Sequence, residues 1–106
     1  MNIEKAKKWS DALRSGKYKQ CHNTMKDGNS YCCLGVAFKE ILDNKTLPGS
    51  ISRYDSVATV LQFGLNDEAK FIRMNDQQKK SFPEIADYID SLILKATART
   101  SEGKST

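Results

Sequence analysis

The sequence is poor in the residues that most often announce chemistry or export. It holds one histidine and three cysteines in 106 residues, and none of its glycines forms a Walker or dinucleotide-binding loop. Its apolar runs fall far short of the roughly 18 residues that a membrane-spanning helix needs. The opening Met1-Asn2-Ile3-Glu4-Lys5 lacks the apolar stretch of a secretory signal. These absences predict a cytoplasmic protein with no membrane association. The cysteines, Cys21, Cys32 and Cys33, are odd in number and too few for a disulfide scaffold, so reduced thiols are expected. A bridge from Cys21 to Cys32 or Cys33 across a hairpin stays geometrically open. No cofactor is expected.

What is present describes an ordinary globular chain: 39% hydrophobic and 28% charged residues are enough apolar material for a core without metal or disulfides. One globular domain over residues 1–98 is expected, with a flexible polar tail over 99–106. The net charge of +4 is unevenly placed. Residues 1–26 carry seven Lys or Arg against two acidic residues, a local +5, while residues 27–76 are slightly acidic. A basic first third suits an anionic partner, but it equally describes a solvated helix face.

Periodicity predicts a helix over 3–14, with Ile3, Ala6, Trp9 or Ser10, and Leu13 on one face and Gly16 ending it. Lys17–Cys21 and Ser30–Cys33 read as two strands around the Asp27-Gly28-Asn29 turn. Leu34, Ala37, Phe38, Ile41 and Leu42 mark a helix over 33–43 that Asn44 stops, before a loop at 46–50. A shorter helix is expected over 56–63, capped by Asp55 or Ser56 and ended by Gly64. Residues 69–74 read as a third strand, and Asn75-Asp76-Gln77-Gln78 as a turn. Ser81 and Glu84 have capping-box spacing, opening a last helix with Ile85, Ile89, Leu92, Ile93 and Ala96 on its buried side. The predicted fold class is α+β, four helices packed on a small two- or three-stranded antiparallel sheet in the order α-β-β-α-α-β-α.

Four chemistries compete. Cys33 at a helix start, with His22 across the hairpin, sketches a nucleophile pair, but no third orienting residue accompanies it. Cys21-His22 and Cys32-Cys33 lack the ligand spacing of a zinc site, because neighbours on a strand point to opposite faces. Lys17-Tyr18-Lys19, with Tyr31, has the chemistry of a nucleic-acid surface. The strongest pattern is for a small anionic ligand: Arg14, Lys17, Tyr18 and Gln20 bring a guanidinium, an ammonium, an aromatic ring and an amide into seven residues. Asn75 and Asp76 could read sugar hydroxyls or base edges beside them. The plain alternative is that Arg14 caps a helix and Asn75-Asp76 is only a turn. No catalytic residue and no metal ligand is assigned.

Three blocks carry a resemblance: Trp9-x-x-Ala-Leu-Arg-Ser-Gly-Lys-Tyr-Lys-Gln20, Tyr31-Cys-Cys-Leu-Gly-Val36, and Met74-Asn-Asp76 with Ser81-Phe-Pro-Glu-Ile-Ala-Asp-Tyr-Ile89. Together they resemble a group of small uncharacterised proteins of tailed bacteriophages. The departures from that pattern are mild: Met74 stands where Leu is usual and Asp90 where Glu is usual. The resemblance implies a phage accessory protein in the host cytoplasm that acts by binding, whether sequestering a phosphorylated small molecule or nucleotide signal of host defence, inhibiting a host protein, or contacting nucleic acid.

Overall fold

Asn2 opens the first helix, α1 (Ile3–Arg14), by accepting the Lys5 N–H on its side chain at 3.0 Å. The computed structural model describes residues 1–43 and 53–105 of the chain. The α1 boundaries are those that its periodicity predicts, and Ala6, Trp9, Ser10 and Leu13 form its buried face. Gly16 then takes a positive φ of 76°, turning the chain out of the helix.

Three strands of two residues each follow: β1 (Lys19–Gln20), β2 (Lys26–Asp27) and β3 (Ser30–Tyr31). The expected turn at Gly28 and Asn29 is present, but it joins β2 to β3, whereas β1 pairs with β3 in parallel. The sheet is therefore mixed, in the order β1-β3-β2, and not the antiparallel sheet expected. The expected hairpin partner, residues 17–21, became a parallel neighbour because residues 21–25 reverse the chain before the hairpin begins.

The rest is helical: α2 (Cys33–Glu40), α3 (Arg53–Leu61), α4 (Leu65–Asp76) and α5 (Phe82–Ser105). Five helices among the described residues replace the four predicted, and the class stays α+β. The third strand expected at 69–74 lies inside α4. Its short apolar and basic mixture fits either period; the helical one emerges only when Phe71, Met74 and the polar Asn75 are read together, and these three are buried on α4 among the described side chains. Helix α3 spans Arg53–Leu61, so Asp55 and Ser56 lie within it and do not cap it. Gly64, expected to end α3, instead precedes α4 as its N-cap. The Asn44 stop and the 46–50 loop lie outside the described residues. The capping box of α5 forms as expected: Glu84 Oε1 accepts the Ser81 N–H at 3.2 Å, and Ser81 Oγ accepts the Glu84 N–H at 3.4 Å. The α5 backbone is helical through Ser105, beyond residue 98.

Helix α2 is the hub. Residues 33–38 are all buried, so this helix is covered on every side, unlike the one-sided α1. Trp9 crosses the core to donate its indole N–H to the Cys33 carbonyl at 2.8 Å, and its ring meets Phe71 edge-on at 4.8 Å between centroids. Gly35 lies against Met25: a Cβ added there would stand 2.1 Å from the Met25 carbonyl oxygen. Gly35→Ala should therefore lower unfolding free energy by about 3 kcal/mol, the upper part of the range for overpacking, read by urea denaturation.

Between α3 and α4, Glu68 is half-buried beside Asp55, and its Oε2 has no hydrogen-bond partner. Burial first, then the Asp55 charge and hydrogen bond, push the Glu68 carboxyl above its ordinary range. The native state thus holds that proton more tightly than the unfolded chain. The associated stability is complete below the ordinary carboxylate range and is lost as pH rises through the elevated value. Glu68→Gln should raise stability relative to the parent more at pH 7 than at pH 4 in urea titrations; an equal difference at both pH values would contradict this account.

Candidate functional site

The end of α1, the strand β1, the last turn of α4 and the first turns of α5 meet at one corner of the molecule. At its centre Asn75 is fully buried. Its Oδ1 accepts from Gln20 Nε2 at 2.9 Å and from the Cys33 N–H at 3.1 Å. Its Nδ2 donates to the Cys21 carbonyl at 2.8 Å and to Asp76 Oδ1 at 2.7 Å. The amide is thereby saturated, and it serves α2 as a cap from a distant helix. Gln20 Nε2 also donates to the Lys80 carbonyl at 2.7 Å, closing the corner onto α5.

Arg14 spans α1 and α5. It donates to Asp87 Oδ1 at 2.5 Å, pairs with Asp90 Oδ2 at 2.6 Å, and donates to Ser10 Oγ at 2.9 Å. The Asp87 hydrogen bond and then that of Asp90 hold the guanidinium above its ordinary value. Burial pushes the Asp90 carboxyl up, but the Ser10 hydroxyl, at 2.6 Å, and Arg14 outweigh it and hold the group below the usual range. Lys17 pairs with Glu40 at 3.3 Å, and Tyr18 donates its hydroxyl to the same carboxylate. Burial and then that hydrogen bond push the Tyr18 phenol up, while the Tyr18 hydroxyl holds Glu40 down.

Of the six residues predicted to share a site, Arg14, Tyr18 and Gln20 line one open hollow of about 270 Å³, together with Leu13, Gly16, Ser81, Phe82 and Pro83. Lys17, Asn75 and Asp76 do not line it. Asn75 is interior, and Asp76 is half-buried as its neighbour's acceptor. The two cations are already matched by carboxylates of this chain.

A larger hollow lies on the other side of the first turns of α5. It measures about 540 Å³ and is lined by Lys70, Met74, Gln78, Lys80, Glu84, Asp87 and Tyr88. Met74 is buried, and the Lys70 ammonium stands 4.4 Å from the centroid of the Tyr88 ring. The carboxylates here are occupied on one side each: Asp87 by Arg14, and Glu84 by Ser81, whose N–H and hydroxyl both reach Oε1. Lys80 lies 3.9 Å from Glu84 Oε2, a loose contact. Lys70 has no carboxylate within 4 Å among the described residues. A lone cation over an aromatic ring, in a hollow of this volume, is suited to an anionic group attached to a planar one.

A domain of unknown function (DUF8296) is the family whose model matches, over residues 1–47. That span carries α1, the three strands and α2, hence Arg14, Lys17, Tyr18 and Gln20, but neither wall of the larger hollow. No curated protein and no solved structure matches the chain.

The larger hollow had little signature in the sequence. Lys70 of α4, Lys80 of the α4–α5 connection and Tyr88 of α5 are isolated in the sequence, and only the packing of α4 against α5 assembles them. Its one local signal is the i, i+4 spacing of Lys80, Glu84 and Tyr88.

The cysteine nucleophile finds no support. All three thiols are free, with Cys33 fully buried and pushed far up by desolvation, and Cys32 pushed up to about 11 by the same cause. The Cys32 sulfur instead accepts the Gly35 N–H at 3.3 Å as the N-cap of α2, and His22 is exposed. Among the described residues no three His, Cys, Asp or Glu side chains converge to hold a metal. No described helix is long and apolar enough to cross a membrane.

Asn75→Asp tests the corner directly. The substitution turns two donated bonds into contacts between a carboxylate and the Cys21 carbonyl and Asp76. It should cost about 3 kcal/mol at pH 7, as for a buried charge left unpaired. Burial favours the neutral acid in the native state, so the loss should shrink toward pH 4, measured by thermal denaturation.

Proposed function

We propose that the chain is a phage accessory protein that acts by binding, sequestering a phosphorylated small molecule of the host cell in the cleft between α4 and α5. The observation that carries this reading is Lys70: a cation with no carboxylate within 4 Å among the described residues, held 4.4 Å from the centroid of the Tyr88 ring at the edge of a hollow of about 540 Å³. Lys80 and Gln78 add a second ammonium and an amide to the same rim. The corner that holds Arg14 and Lys17 is less suited, because an incoming phosphate would compete with three carboxylates for them. The cytoplasmic, anti-defence setting rests on the resemblance to phage proteins; nothing in the cleft requires a reaction.

Leu94 favours a second reading, inhibition of a host protein. It is 70% exposed on α5 and borders a hollow of about 320 Å³ lined also by Ile93, Lys7 and Asp11.

A thermal-shift panel of nucleoside monophosphates, cyclic dinucleotides and ADP-ribose derivatives separates the two. At a ligand concentration tenfold above Kd, mass action should raise Tm by roughly 5–10 °C, and Lys70→Glu should abolish the shift while lowering the unliganded Tm by only a few degrees, the loss of its contact with the Tyr88 ring. A panel that leaves Tm unmoved would rule out the small-molecule reading and leave Leu94 as the stronger lead.

A further inference from the structure

We infer that Cys21 and Cys32 are an oxidisable pair, a modification site at which a low-molecular-weight disulfide such as glutathione disulfide joins the residue after β1 to the N-cap of α2. Strands β1 and β3 run parallel with Gln20 opposite Tyr31, and the Cys21 N–H continues that ladder onto the Tyr31 carbonyl at 2.9 Å. The next register position therefore sets Cys21 beside Cys32, and residues opposite one another project to the same face of a sheet. Neighbouring strands lie about 4.8 Å apart, near the short end of the roughly 4.4–6.8 Å that a disulfide spans between Cα atoms. One place further the ladder is interrupted. The bond that the Cys33 N–H would make to the Cys21 carbonyl is replaced by the Asn75 amide, which accepts from the first at 3.1 Å and donates to the second at 2.8 Å. An inserted amide parts the strands there, which moves the pair from ladder spacing toward the separation that a disulfide prefers.

Neither sulfur is held elsewhere by more than a weak bond. Cys21 Sγ donates to the Thr24 carbonyl at 3.5 Å, and Cys32 Sγ accepts from the Gly35 N–H at 3.3 Å. Cys33 is turned the other way, its sulfur 3.5 Å from the Phe71 carbonyl of α4. Access divides the roles: Cys21 is half-buried and can meet a solute, whereas Cys32 is 4% exposed. The Cys21 thiolate attacks one sulfur of glutathione disulfide and releases a glutathione, leaving a mixed disulfide. The Cys32 thiolate then attacks the Cys21 sulfur and releases the second glutathione. Two protein thiols are oxidised, one glutathione disulfide is reduced to two thiols, and both protein protons end on the departing sulfurs. Burial pushes both thiols up, Cys32 to about 11, so the exchange is slow at neutral pH and quickens as pH rises.

The reduced full chain, incubated in its folded state with glutathione disulfide at mildly alkaline pH, then alkylated in urea and digested with trypsin, tests this by mass spectrometry. Trypsin separates Cys21, in residues 20–26, from Cys32 and Cys33, in residues 27–39. The parent should lose two hydrogens and link these peptides, with the alkyl label on Cys33 alone. Cys32→Ser, which keeps a capping side chain, should stop at a glutathione adduct on Cys21, and Cys21→Ser should leave the other thiols unreacted. When the exchange itself is run in urea, Cys33 should compete with Cys32. Closing a loop of about a dozen residues restricts mainly the unfolded chain when the folded one already holds the pair together, so the oxidised protein should melt a few degrees higher. A glutathione adduct that accumulates on the parent, a link through Cys33, an absence of reaction, or an oxidised protein that melts below the reduced one would overturn the pairing.

Discussion

The corner where α1, β1, α4 and α5 meet is organised by the saturated amide of Asn75. Three strands of two residues cannot hold themselves together, and a helix start needs acceptors for its first N–H groups. One buried side chain supplies both needs. It anchors β1 through Gln20 and the Cys21 carbonyl, and it caps α2 at Cys33. Because Asn75 belongs to the last turn of α4, these bonds also dictate where α4 ends and hence where the chain turns into α5. The indole of Trp9 and the backbone approach at Gly35 bear on the same start of α2 from other sides. A buried amide with all of its hydrogen bonds made defines one arrangement, since any alternative leaves unpaired polar groups in the interior.

That arrangement also redistributes charge. The first third of the chain is basic in composition, but in the folded molecule its two best-placed cations face carboxylates from elsewhere. Arg14 is bound by two aspartates of α5, and Lys17 shares Glu40 of α2 with Tyr18. The pairs are partly exposed and contribute little stability individually. Their effect is on availability. At the α4–α5 cleft, by contrast, Lys70 has no carboxylate within 4 Å among the described residues and stands over the Tyr88 ring.

How far the fold could be read in advance follows from the range of the interactions involved. Helix α1 and the start of α5 are local matters: an Asn2 cap, a Ser81–Glu84 box and apolar residues at helical spacing lie within a few residues of each other, so the pattern suffices. Helix α4 is misread as a strand because its buried face includes a polar residue. Asn75 looks like turn chemistry until the groups it bonds to, 42 to 55 residues away in sequence, are brought alongside. The pairing of β1 with β3 is equally non-local, and a two-residue strand carries no alternation from which to read it.

The same division runs through the site. Residue types and spacings were enough for the class of fold, the polar character of the corner and the meeting there of Arg14, Tyr18 and Gln20. Which cations are cancelled, which amide is interior and which hollow is large enough to hold a ligand depend on contacts between helices far apart in the chain. Charge pairing and burial are properties of positions in space, and a linear pattern specifies neither until the helices have crossed.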